Sequence, residues 1–208
     1  MLKYMLYLVL LIAVVGGLVG IWHLYRVSVR NEKEMAQFAG PIEKFEKDLG
    51  KTLVVYYSLS GHTKEIAEII AADTGADVYE VRTKEKLNTT PWFYMTLRSQ
   101  LKKGIYPEIE SEFPDFSKYD TIFVGAPVWW YTMATPMYSF LKKADFANKA
   151  VVPFSTQGSN FGTYYDDFAK NARNAVIKEG QAFNNLPAKY DSNIKNKIVR
   201  WLNRLGQK

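Results

Sequence analysis

The 208-residue chain has no cysteine, which excludes disulfides, thiolate metal sites, iron–sulfur ligation and a thiol redox shuttle. That absence fits any compartment. Charge imbalance is also slight. The formal net charge is +6, but residues 1–30 hold Lys3, Arg26 and Arg30 with no acid and so carry half of it. The rest is spread over interspersed signs, as on an ordinary solvated surface. No RNA-binding fingerprint or zinc-finger spacing accompanies it, so nucleic-acid binding and a metal site are not expected. With 48% apolar residues, the bulk of the chain is not expected to be disordered.

From Tyr4 to Tyr25 charged side chains are missing altogether. A helix of that length runs about 33 Å, enough to cross the hydrocarbon core of a bilayer. A signal peptide would have a shorter apolar run and a small-residue cleavage site. Gly16, Gly17 and Gly20 are small, but no cleavage box follows them, which favours an uncleaved single-pass anchor over residues 1–30. Tyr4, Tyr7, Trp22 and Tyr25 suit the two interfaces. Arg26, Arg30 and Lys33 against Lys3 lean toward a cytoplasmic domain. Residues 31–50 read as a polar stalk, with Pro41 starting a second short helix whose stripe is Ile42, Phe45 and Leu49.

The globular domain, 51–208, alternates strands and helices. Strands are expected at 52–58, 77–81, 121–125, 150–154 and 181–183. Helices are expected at 63–73, 92–103, 135–143, 162–179 and 192–205. Such alternation implies a parallel sheet covered on both faces, and the unbroken run Leu53-Val54-Val55-Tyr56-Tyr57 reads as a strand within it.

In an open parallel sheet, ligands bind beyond the carboxyl ends of the strands. Three such ends are chemically loaded. Ser58-Leu59-Ser60-Gly61-His62-Thr63 sets hydroxyls and a glycine before a helix, where free N–H groups and the helix dipole favour a phosphate. Ala126 to Met133 holds Pro127, Val128, Trp129 and Trp130, a candidate aromatic wall. Ser155-Thr156-Gln157-Gly158-Ser159-Asn160-Phe161-Gly162 is polar and glycine-bearing. Each alone has an ordinary explanation: caps, core tryptophans, loop composition. Together they suit a phosphorylated planar ligand.

From about Lys51 to Leu205 the chain resembles a flavodoxin. The matching segments are Tyr57-Ser58-Leu59-Ser60-Gly61-His62-Thr63, Val124-Gly125-Ala126-Pro127-Val128-Trp129-Trp130 and Pro153-Phe154-Ser155-Thr156-Gln157-Gly158. The resemblance implies a doubly wound five-stranded α/β sheet of order 2-1-3-4-5, binding FMN. Ser58, Ser60, Gly61, His62 and Thr63 would hold the phosphate. Pro127, Val128, Trp129 and Trp130 would border the isoalloxazine, one indole stacked on it. Thr156, Gln157, Gly158 and Ser159 would meet the pyrimidine side. The third loop lacks the acid and tyrosine often found in the family, leaving Phe161 as candidate for the second stacking partner.

The implied function is a membrane-anchored electron carrier working between a reductase and an acceptor protein. The alternative is an FMN-dependent NAD(P)H or quinone oxidoreductase on the same scaffold. A flavin-free binding module would have little use for both the hydroxyl turn and the Trp pair. No residue is expected to act as acid or nucleophile, and His62 reads as a hydrogen-bonding cap. The acidic, aromatic segment Trp92 to Phe116, with Tyr94, Tyr106, Glu108, Glu110, Glu112 and Asp115, is a candidate docking surface.

Overall fold

The computed structural model describes residues 2–87, 90, 92–110 and 112–205. Residue 1 and residues 206–208, the outer limits of the first and last expected segments, lie outside these. Two compact units divide between Gly40 and Pro41.

The first unit is dominated by one helix, α1 (Leu2–Ala36), long and apolar enough to cross a membrane. It runs past the uncharged stretch through Arg26, Arg30 and Lys33.

The second unit is a doubly wound α/β fold of the flavodoxin type. Its strands are β1 (Thr52–Tyr56), β2 (Asp77–Glu80), β3 (Thr121–Trp129), β4 (Thr132–Met133), β5 (Lys149–Gln157), β6 (Ala175–Ile177) and β7 (Gln181–Asn184). Its helices are α2 (His62–Thr74), α3 (Phe93–Lys103), α4 (Thr135–Lys143), α5 (Tyr164–Asn171) and α6 (Asp191–Leu205). The main sheet runs β2-β1-β3-β5-β6, with β7 also on β5. All its pairings are parallel. This is order 2-1-3-4-5 with the fifth strand in two pieces.

Side chains alternate across a strand, and two cores follow from that. Leu53, Val55, Ile122, Val124 and Val151 pack on one face with Leu97 of α3, Phe140 of α4 and Phe168 of α5. Val54, Phe123, Val152 and Phe154 pack on the other with Ile66 and Ile70 of α2 and Trp201 of α6. Gly75, at φ +67°, stops α2 by donating its N–H to Ala71 O, a left-handed cap that suits glycine. Gly125 sits beside Phe154 in register, and a Cβ there would enter the Phe154 ring.

The structure differs from the sequence expectations in three places. Residues 41–50 are not helical. They run extended along α6, clamped by two asparagines. Asn196 Oδ1 accepts from Glu43 N at 2.9 Å and its Nδ2 donates to Pro41 O at 3.1 Å. Asn203 repeats the pattern on Glu46 N (3.1 Å) and Lys44 O (3.0 Å). Seven residues apart, the two amides share a face of α6 and satisfy the backbone that a helix would have satisfied itself. Phe45 and Leu49 pack on the core regardless.

The helix expected over 162–179 ends at Asn171. Asn174 takes φ +51°, and the chain returns to the sheet as β6. The edge strand then breaks between β6 and β7. Lys178 N donates to Val151 O, so by the period of two the missing N–H of Pro153 faces this same edge. The edge chain leaves the ladder where that donor is lacking.

The third expected strand, 121–125, continues to Trp129. Ala126 to Met133 is therefore a β-hairpin, with Val128 opposite Met133 and Trp129 opposite Thr132.

Candidate functional site

Strands β1, β3 and β5 are adjacent and parallel, so their carboxyl ends open on one edge of the sheet. After β1 the backbone stays on the sheet through Tyr57, whose N–H donates to Gly125 O at 3.0 Å. Ser58 Oγ then accepts from Gly61 N at 3.1 Å, closing a tight turn. Gly61 needs φ +99°, and a Cβ there would meet no atom within 4 Å. The turn is therefore open on that side. No side chain caps the start of α2, so the N–H groups of its first turn point outward with the positive end of its dipole.

The turn's side chains divide. Ser60 is exposed, and Ser58 and His62 are half-buried. Thr63 is turned inward, 1% exposed, its hydroxyl 2.7 Å from that of Thr156. His62 Nδ1 lies 3.9 Å from Glu65 Oε2, too far for a hydrogen bond. A cavity of about 600 Å³ adjoins the turn beyond the ends of β1 and β2, bounded by Tyr57, Ser58, Leu59, Val81 and Arg82.

At the end of β3 the two tryptophans part company. Trp129 is 6% exposed and sits edge-on to Tyr57 (5.7 Å) and Phe93 (5.5 Å). Burial raises the pKa of Tyr57, keeping its hydroxyl neutral. Trp130 opens the hairpin turn at φ +49°, followed by Tyr131 at +66°, the paired left-handed geometry of a type I′ turn. It is 40% exposed. Its indole N–H donates to Tyr94 O at 2.6 Å, and the Arg98 guanidinium lies 5.1 Å from its ring centre. Pro127 and Val128 are half-buried beside it.

The third segment is partly strand. Thr156 and Gln157 end β5 and are buried. The Gln157 amide is committed internally: Oε1 accepts from Ser155 Oγ at 2.9 Å and Nε2 donates to Asn184 Oδ1 at 3.2 Å. Gly158 is exposed and Ser159 half-buried. The hairpin and this loop are joined, since Thr163 N donates to Tyr131 O at 2.7 Å. A Cβ on Gly162 would collide with that same carbonyl. Beneath them, Asp167 Oδ2 accepts from Thr132 and Thr163 Oγ1, each at 2.6 Å. Phe161, exposed, lies edge-on to Tyr165.

A family model described as Flavodoxin matches residues 51–205. The chain belongs to the flavodoxin family. Among solved structures it is similar to a flavoprotein from Lactobacillus acidophilus in complex with FMN, at 28% identity and TM-score 0.58. That match covers 64% of this chain and 93% of the relative. A protein from Bacteroides eggerthii assigned as a flavoprotein aligns at 27% identity and TM-score 0.64, over 76% of this flavodoxin and 99% of the relative. Among curated proteins, an NAD(P)H dehydrogenase (quinone) from Caulobacter vibrioides is 32% identical over 104 residues, 46% of this chain and 47% of the relative. This flavodoxin thus spans about half the length of the curated relatives it matches.

Arg98, Asn184 and Asp167 support the site and were not expected from sequence, and Tyr94 was expected only as part of a docking surface. Tyr94, Arg98 and Asn184 act through long-range contacts for which the local sequence carries no signal, and Asp167 joins a long-range bond from Thr132 to a local one from Thr163.

Proposed function

We propose that this chain is a membrane-anchored flavodoxin, an FMN-dependent electron-transfer protein working between protein partners. The observation that carries the reading is the convergence of three strand ends on the uncapped start of α2. The family match and the FMN-bound relative support the cofactor, and the residues present fit it. The open Gly61 turn leaves the first amides of α2 and the exposed Ser60 hydroxyl able to face a phosphate, and Ser58, whose oxygen accepts from Gly61 N, keeps its O–H to donate. The exposed indole of Trp130, with Pro127 and Val128, offers an apolar border for a flat ring.

When bound, FMN supplies the redox chemistry. The chain's own residues bind and orient. Ser58, Ser60, Gly61, His62 and Thr63 would hold the phosphate mainly by dipoles and neutral hydrogen bonds, Thr63 through its amide. Trp130 would border the ring, while Trp129 is packed against Tyr57 and Phe93. Gln157, fixed at both ends of its amide, holds the backbone of Gly158 and Ser159 in place. The helix α1 supports a single-pass anchor, with Arg26, Arg30 and Lys33 favouring a cytoplasmic domain.

A second reading, an NAD(P)H or quinone reductase on the same scaffold, is favoured by the names of the curated relatives. Purification of the full chain in mild detergent separates the two. A carrier is yellow, releases FMN on denaturation, and shows no steady turnover with NAD(P)H and a soluble quinone. Steady turnover would replace the carrier by the reductase. A protein that stays colourless after incubation with FMN would sink both.

A further inference from the structure

Helix α3 turns an unusual surface outward. Phe93, Leu97 and Leu101 face the core. At 100° per residue, Trp92, Met95 and Lys102 lie on the opposite side, flanked by Arg98 and Lys103. Trp92 is 71% exposed and Met95 65%. Within Phe93–Lys103 there are three cations and no acid. The apolar stripe of α3 is spent on the core, so what it turns outward is a basic surface carrying two large exposed apolar side chains, a combination suited to an anionic lipid interface. At such an interface a tryptophan and a methionine suit the headgroup boundary, and long lysine stems such as Lys102 and Lys103 can reach anionic headgroups.

The same surface continues onto the flavin-side hairpin. Trp130 is tied to α3 through Tyr94 O and lies beside Arg98, and Tyr131 at the tip is 60% exposed. The acids that follow α3 do not oppose this charge on the helix itself. Glu108 and Glu110 lie beyond Pro107, on the segment that bridges Ile109 to Thr83, and Glu108 is paired with Lys84 at 2.9 Å.

We propose that α3 docks on an anionic lipid surface, bringing the Trp130–Tyr131 hairpin to the bilayer interface. This goes beyond the carrier reading and stands on the surface of α3 alone. An anchor in α1 would only keep lipid within reach.

The absence of cysteine makes the test direct. Met95→Cys in the full chain gives one thiol for a nitroxide label. Reconstituted in phosphatidylcholine vesicles with phosphatidylglycerol, the label at 95 loses collisions with a water-soluble nickel complex and gains collisions with lipid-partitioned oxygen. High salt, vesicles of phosphatidylcholine alone, or the added pair Lys102→Gln and Lys103→Gln reverse the shift. Glu68→Cys, on α2 across the sheet, stays aqueous throughout. The circular dichroism spectrum of each labelled variant reports that the fold is intact.

A label at 95 as accessible to nickel as that at 68 in anionic vesicles would overturn the proposal, and α3 would then be left to a protein partner. Equal lipid exposure in neutral and anionic vesicles would overturn the charge assignment. Leu11→Cys reports separately on α1, so a failed anchor and a failed α3 surface read differently.

Discussion

The hydroxyl of Thr63, in the first turn of α2, and that of Thr156, near the end of β5, lie 2.7 Å apart and are buried. That bond ties the phosphate turn to the strand carrying the third loop. Thr156→Val leaves the Thr63 hydroxyl without a partner. The expected loss is about 1–3 kcal/mol of stability, read by urea titration, with weaker FMN binding by fluorescence. The double variant with Thr63→Val costs less than the two single losses added.

Gly61 adopts φ +99° in open space. Gly61→Ala therefore meets backbone strain with no steric collision, at about 1–3 kcal/mol. The turn relaxes away from the geometry that presents the α2 amides, so FMN affinity falls. Isothermal titration with FMN checks it. An unchanged affinity would mean the phosphate is held elsewhere.

Asn196 is fully buried and answers one N–H and one carbonyl of the 41–50 segment. Asn196→Ala removes both partners, so the segment lifts from α6 and trypsin cuts at Lys44 or Lys47 faster. Asn203→Ala, at a half-buried position whose hydrogen bonds are exposed to solvent, has a smaller effect.

Burial pushes the Tyr138 hydroxyl up to about 12, with the Thr132 hydrogen bond opposing and the Asp167 charge adding to the rise. The unfolded chain loses this proton near pH 10. Between pH 10 and 12 the folded state holds more protons than the unfolded one, so this contribution is intact below 10 and fades as pH rises to about 12. Tyr138→Phe flattens the fall in stability over that window, measured by denaturant titration at fixed pH steps.

The parts of the fold visible in the sequence were those whose signal is local. Leu53 to Tyr57 reads as a strand because both its faces are buried, and α2 reads from Ile66, Ile69 and Ile70. The hairpin at Trp130 and Tyr131 was hidden, since its two left-handed residues carry neither the glycine nor the asparagine that usually marks such a turn. Trp129 and Trp130 are indistinguishable in sequence. Strand alternation and the turn bury one and expose the other. Asn171 and Asn174 were the available sign that α5 stops early, with Val176 and Ile177 beyond them better suited to a strand. The clamp on 41–50 was illegible because its partners lie more than 150 residues away.

The break in the edge strand bears on how the molecule behaves in a crowd. Exposed edge backbone recruits strands from other chains, and a long straight edge is the hazard. Here one outer border is the four-residue β2 and the other is cut into three-residue β6 and four-residue β7. Between the two pieces, a Cβ on Gly180 would collide with Pro153 O and the Tyr165 ring. A newcomer finds no ladder long enough to extend, so the proline that interrupts the sheet also guards it against self-association.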